Sequence, residues 1–117
     1  MPQITVDYSR TIGAAFDREG FARALHEATV EIAAAKPEAC KTQFRDSGYS
    51  VFGYEEEGHA VVHVTVGLLA GRTDETKAKL TEAVLELLRK HIGEEGLVLH
   101  ASAEVRDLDP SYRKFVR

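Results

Sequence analysis

Pro2, directly behind the initiator methionine, is the residue of this chain best suited to moving protons. A methionine followed by a small residue is usually trimmed, and Pro2 would then carry a free secondary amine. An α-amino group has an ordinary pKa of about 7.7–8.0, against about 10.4 for lysine. A modest apolar or cationic setting therefore brings it near neutrality, where one group can both take and return a proton. Untrimmed, Pro2 only opens an edge strand that does not need its missing N–H. The other chemistry-bearing residue types point less sharply. The five histidines, His26, His59, His63, His91 and His100, show no spacing typical of a zinc site, so no metal is expected. His26 and His91 read as helix-surface residues, His63 as a packing or hydrogen-bonding residue inside a strand, and His59 as exposed. Cys40 has no adjacent basic activator in sequence and reads as a small buried residue.

Something must hold Pro2 in place, and 117 residues supply a single domain with one core. Apolar residues make up 44% and charged residues 29%, a globular composition. A net charge of −4 argues against a general nucleic-acid partner, which needs a basic face. It leaves room for a small cationic pocket and a carboxylate substrate. One cysteine excludes an internal disulfide and fits a reducing compartment. No secretory leader and no membrane span is expected, so the expected location is the cytoplasm.

Hydrophobic patterning divides the chain into two pseudo-repeats, about 1–58 and 59–117, within the one domain 1–117. A strand over 3–8 precedes a helix over 17–35, with Phe21, Leu25, Ala28 and Ile32 on one stripe. Lys36-Pro37 is expected to end that helix, since the residue before proline avoids helical geometry. Strand-like segments follow at 41–45 and 49–52, then a solvated turn at Glu55–Gly58. The plan then repeats. A β-branched strand over 60–68 leads through Ala70-Gly71-Arg72-Thr73-Asp74 into a helix over 74–92, capped by Thr73 or Asp74. Leu80, Val84, Leu87 and Leu88 form its buried stripe, and a last strand covers 97–105. A shift of 59 residues lays Phe21 on Leu80 and Leu25 on Val84. Two βαβ units with right-handed crossovers put both helices on one face of a four-stranded sheet. The other face, expected to be partly apolar, is left uncovered, which predicts self-association.

Met1-Pro2 opening a strand, His63-Val64-Thr65-Val66 running to Ala70-Gly71-Arg72-Thr73, and Ala103-Glu104-Val105-Arg106-Asp107-Leu108-Asp109-Pro110 together resemble the tautomerase superfamily. Within it the chain is most similar to the 5-carboxymethyl-2-hydroxymuconate isomerase family. The resemblance spans nearly the whole chain. It implies an α+β fold of two βαβ repeats, a homotrimer with uncovered sheets facing a central axis, and a catalytic amino-terminal proline at Pro2 that needs no cofactor. It also implies substrate binding by arginines. Arg72 matches the family's Gly-Arg position, and a guanidinium there holds a carboxylate by two hydrogen bonds and steadies a growing dienolate charge. The neighbouring helix N-terminus adds positive potential. A second family arginine lies in a Lys-Thr-Arg-like stretch, where this chain reads Lys41-Thr42-Gln43-Phe44-Arg45. Gln43 thus stands at the arginine position, a departure, while Arg45 on the same strand face is placed to substitute. Glu104 is expected to orient an arginine or form an intersubunit ion pair. The basic tail Ser111–Arg117 is expected either to cover a neighbouring subunit or the mouth of the site, or to fray.

The implied activity is isomerisation of an unsaturated 2-hydroxy or 2-oxo dicarboxylic acid such as 5-carboxymethyl-2-hydroxymuconate. Two alternatives stand beside it: a decarboxylase or hydratase acting on a related acid through the same proline, or a trimeric binding protein without activity. Retention of Met1 favours the last, because an acylated nitrogen is not basic.

Overall fold

Alternation of buried and solvent-facing residues along the strands determines where everything else sits. The computed structural model describes residues 1–94 and 96–117. Its strands are β1 (Gln3–Tyr8), β2 (Lys41–Asp46), β3 (His59–Leu68) and β4 (Val98–Asp107), and its two long helices are α1 (Arg18–Ala33) and α2 (Asp74–His91). The four strands form one sheet in the order β2-β1-β3-β4. β1 runs parallel to β2 and β3 parallel to β4, while β1 and β3 pair antiparallel at the centre. Each half is therefore a βαβ unit, and the β1–β3 pairing joins the halves into a single sheet.

One face of the sheet is packed. Ile4, Val6 and Tyr8 on β1 and Ala60, Val62, Val64, Val66 and Leu68 on β3 are all buried there. The register places Ile4 between Thr42 and Val66, and Val6 between Phe44 and Val64. α1 covers this face with Phe21, Leu25, Thr29 and Ala33, and α2 with Leu80, Val84 and Leu88, both at strict four-residue spacing. The stripe on α1 thus differs from the sequence expectation, since Ala28 and Ile32 are only half-buried. Thr29 fits among apolar neighbours because its hydroxyl donates to the Leu25 carbonyl at 2.7 Å. Leu87 is likewise half-buried, beside the stripe rather than on it.

The helices begin where capping residues allow. Asp17 accepts from the Gly20 N–H at 3.0 Å, and Thr73 Oγ1 accepts from Thr76 N–H at 3.1 Å. α2 carries Asp74 and Glu75 in its first turn and Arg89, Lys90 and His91 in its last, matching the helix dipole at both ends. α1 stops earlier than Lys36-Pro37 requires: Ala34 takes a left-handed conformation (φ 56°), and Pro37–Ala39 forms a separate short 3-10 turn. The strand expected at 49–52 is absent. Gly48 and Gly53 have φ of 71° and 62°, which breaks extension on either side, and Phe52 pairs only with Glu55 across a tight turn.

The opposite face carries no helix, and it is more polar than expected. Gln3, Thr5 and Asp7 on β1 lie beside His63 and Thr65 on β3, which lie beside Ser102 and Glu104 on β4. These groups satisfy one another. His63 contacts Ser102 Oγ at 2.7 Å and Glu104 Oε1 at 3.4 Å. Arg106 Nε lies 3.2 Å from the same Glu104 oxygen.

Candidate active site

Pro2 is buried at the point where three segments converge. It precedes Gln3, whose register partners are Lys41 on β2 and Gly67 near the end of β3. The Pro2 carbonyl accepts from the Lys41 backbone N–H at 3.3 Å. Strand pairing thus brings the start of β1, the start of β2 and the end of β3 together at one end of the sheet. The carboxy-terminal tail lies over the same end. Leu108 N–H donates to the Leu68 carbonyl at 2.6 Å, and Gln3 Nε2 donates to Tyr112 Oη at 3.2 Å.

The electrostatics here are cationic. The Met1 amine donates to the Ala39 carbonyl oxygen at 3.3 Å, and Lys41 Nζ donates to that same oxygen at 2.7 Å. Burial first, then the Lys41 hydrogen bond and charge, then the Lys114 charge, hold this amine below its ordinary pKa, while Cys40 opposes them slightly. The Cys40 thiol is pushed up by burial, against the pull of the terminal amine and Lys41. It donates weakly to the Lys36 carbonyl at 3.5 Å, as a packed residue rather than an activated nucleophile.

Arg72 lies a few residues beyond the end of β3. Its Nε and Nη2 donate to the Ala33 carbonyl at 3.0 and 2.9 Å, and Nη1 donates to the Leu69 carbonyl at 3.1 Å. The guanidinium therefore caps the carboxy-terminal end of α1, where the helix dipole is negative. Three of its five N–H donors are used in this way, and one on each terminal nitrogen is left to meet an anion.

Within the single chain, strand register does not bring Arg45 or Gln43 to Pro2. Arg45 pairs across the sheet with Asp7, at the far end of β1 from Pro2. It grips that carboxylate at 2.8 and 3.2 Å, and Asp7 raises its pKa further. Gln43 lies opposite Thr5, part-way along the uncovered face. Strand rise, about 3.3 Å per residue, carries both away from Pro2. Lys41 stands at Pro2 instead. Its signal was present in sequence as the first residue of the Lys-Thr stretch, but only strand register identifies it as the neighbour of the terminus.

The other singled-out residues have structural settings. His63 hydrogen-bonds, as expected, and Glu104 orients Arg106. The His63 hydrogen bond first, then Arg106, hold the Glu104 carboxyl below its ordinary range. His59 is not an exposed residue ahead of the strand but the first residue of β3, with its side chain 20% exposed. Among the described residues no group of three or more His, Cys, Asp or Glu is arranged to hold a metal ion. No helix is long and apolar enough to cross a membrane.

No protein-family model and no curated protein matches this chain. Solved structures do. A fused 4-OT wild-type symmetric trimer superposes with a TM-score of 0.73 at 25% identity, over 91% of this chain and 85% of that one. A 5-carboxymethyl-2-hydroxymuconate isomerase from Deinococcus radiodurans R1 gives 0.76 at 22% identity, over 97% and 88%. The chain has the tautomerase-superfamily fold. FG41 malonate semialdehyde decarboxylase inhibited by 3-bromopropiolate shares the same tautomerase fold, with a TM-score of 0.69 at 23% identity over 98% and 89%. Within this fold Pro2 directly precedes β1, and Gly71-Arg72 lies just ahead of α2.

Proposed function

We propose that this chain is a cofactor-independent, homotrimeric isomerase that interconverts keto and enol forms of an unsaturated 2-hydroxy or 2-oxo dicarboxylic acid such as 5-carboxymethyl-2-hydroxymuconate. The observation that carries the reading is Pro2, buried at the sheet end where Lys41 and Lys114 act on the chain terminus. After removal of Met1 the Pro2 nitrogen becomes the terminal amine within that cationic setting. Burial and like charge then favour its unprotonated form, which is what a general base near neutral pH requires.

Unprotonated Pro2 takes the proton of the substrate 2-hydroxyl, and the electron pair moves into the conjugated system as a dienolate. Lys41 and the two uncommitted N–H groups of Arg72 hold the carboxylate and the developing charge. Protonated Pro2 then returns the proton at carbon further along, so the reaction balances without any other reactant. Arg45 and Gln43 lie on the uncovered face, which a trimer turns toward its neighbours, and there they serve a substrate across a subunit boundary. The fused 4-OT neighbour, described as a symmetric trimer, supports that assembly.

Decarboxylation of a related acid is the second reading, favoured by the malonate semialdehyde decarboxylase neighbour and by the same cation cluster, which stabilises the enolate left by loss of CO2. Intact mass of the natively expressed protein, combined with an ultraviolet assay on 2-hydroxymuconate-type acids, tests both. Loss of the methionine mass with rapid ketonisation supports the isomerase. A processed terminus with release of CO2 in place of ketonisation selects the decarboxylase. A retained Met1 with no turnover leaves a binding role.

A further inference from the structure

A dicarboxylate needs a cation at each end, and Arg45, the sequence candidate for the second, is held by Asp7. The segment after β4 supplies another. Leu108 fastens its start: the N–H donates to the Leu68 carbonyl at 2.6 Å, and the side chain closes over Gly67. Gly67 is the register partner of Gln3, next to Pro2. A tight turn follows, in which Asp109 Oδ1 accepts from the Ser111 N–H at 2.8 Å and the Asp109 carbonyl from the Tyr112 N–H at 2.9 Å. The turn brings half-buried Tyr112 back across the sheet end, where its Oη accepts from Gln3 Nε2 at 3.2 Å. The segment is therefore fixed at both ends beside Pro2.

Three cations follow on the tail, and two of them are engaged. Arg113 Nη1 donates to the Pro110 and Tyr112 carbonyls at 3.1 and 2.9 Å. The Arg117 guanidinium lies over the Phe115 ring, 5.8 Å from its centre. Lys114 has no carboxylate partner among the described residues. Two residues, at most about 7 Å of chain, separate it from the tethered Tyr112. Its charge reaches the chain terminus, where, after burial and Lys41, it helps to hold the Met1 amine below its ordinary pKa.

We propose that residues 108–114 form a strap across the Pro2 end of the sheet, in which Lys114 binds the distal carboxylate of a dicarboxylic substrate and Tyr112, tethered to Gln3, positions it. This rests on the reading of Pro2 as the base and adds to it a source of preference for dicarboxylates over monocarboxylates. The ammonium on its flexible stem offers three donors to a carboxylate. Such a ligand also screens Lys114 from the like charges of Lys41 and the terminal amine, so binding relieves a repulsion as well as making a contact.

Calorimetric titration of the natively expressed full chain with trans,trans-muconate and with sorbate tests it. The two acids share a six-carbon diene and differ in the second carboxylate, and neither carries the 2-hydroxyl that turnover needs. The expected result is muconate binding at least tenfold tighter than sorbate, the size of one charge-assisted hydrogen bond. Lys114→Met brings muconate to the affinity of sorbate and leaves sorbate unchanged, while Lys114→Arg keeps most of the preference. Tyr112→Phe and Gln3→Met each cut the preference about threefold, and the double variant cuts it no further, because both remove the same hydrogen bond. Equal binding of the two acids by the unaltered protein, binding of neither, or an undiminished preference in Lys114→Met overturns the proposal. So does a changed oligomeric state of Lys114→Met in sedimentation, which assigns the lysine to a subunit contact. A preference that depends on Lys114 without ketonisation of 2-hydroxymuconate removes the isomerase reading and leaves the strap. Ketonisation with an undiminished preference in Lys114→Met does the reverse.

Discussion

The Met1 amine and the Lys41 ammonium donate to one acceptor, the Ala39 carbonyl oxygen, at 3.3 and 2.7 Å. Two cations sharing one neutral oxygen are poorly neutralised. Lys114 adds to them rather than relieving them. A bound carboxylate relieves all three.

Replacing Lys41 by Met therefore has a direction as well as a size. Burial is the largest cause of the lowered amine pKa and remains, so the amine moves only part of the way back toward its ordinary value. A higher pKa leaves less unprotonated base at a given pH. In the processed protein the acid limb of the kcat/KM profile moves to higher pH, and KM for a dicarboxylate rises roughly tenfold, the cost of one charge-assisted hydrogen bond. Unchanged KM and an unmoved acid limb would remove Lys41 from the site.

Pro2→Ala keeps a terminal amine but loses the secondary nitrogen and the ring that holds it. Turnover is expected to fall at least 100-fold, in the range of general acid–base contributions. Full activity in this variant would take the proline out of the mechanism.

Arg72→Ala removes three hydrogen bonds to the Ala33 and Leu69 carbonyls. A loss of about 1–3 kcal/mol in urea unfolding is expected, from unpaired carbonyls and a lost helix-end cation. Arg72→Lys retains the charge and recovers part of the stability but not two-point carboxylate binding. Comparing the two variants in stability and in KM separates the capping role from the substrate role.

His26 offers a pH test of the fold. Burial holds its imidazole below the ordinary value of 6.5, and its Nε2 lies 2.7 Å from Thr42 Oγ1. Between the folded and unfolded pKa values the unfolded chain binds more protons, so stability climbs as pH rises toward about 6.5 and is level above it. His26→Gln flattens that climb in urea midpoints measured from pH 5 to 7. An unchanged slope assigns it to other groups.

Phe21 is wholly buried and meets the rings of Phe16, Phe44 and His91 edge-on. Phe21→Ala is expected to cost about 3–5 kcal/mol, because a close-packed core collapses only partly around the gap. Urea unfolding measures this directly.

Local pattern was enough for much of this protein. Period-two alternation along residues 60–68, period-four stripes through Phe21-Leu25 and Leu80-Val84, and the Thr73 cap are short-range signals that a linear chain displays. Tyr49–Phe52 shows where such signals mislead: its residues favour a strand, yet Gly48 and Gly53 turn the backbone on both sides. The Pro2 and Arg72 candidates were legible as residue types in suggestive places. Tertiary structure decided which groups meet. Register between strands 38 residues apart put Lys41 at the terminus and sent Arg45 to Asp7. Pairing of β3 with β4 brought His59 to His100, 41 residues away in the chain. The physical reason is that hydrophobic periodicity is a property of neighbours in sequence, whereas a charge or a proton acceptor acts on whatever chain pairing places within a few ångströms of it.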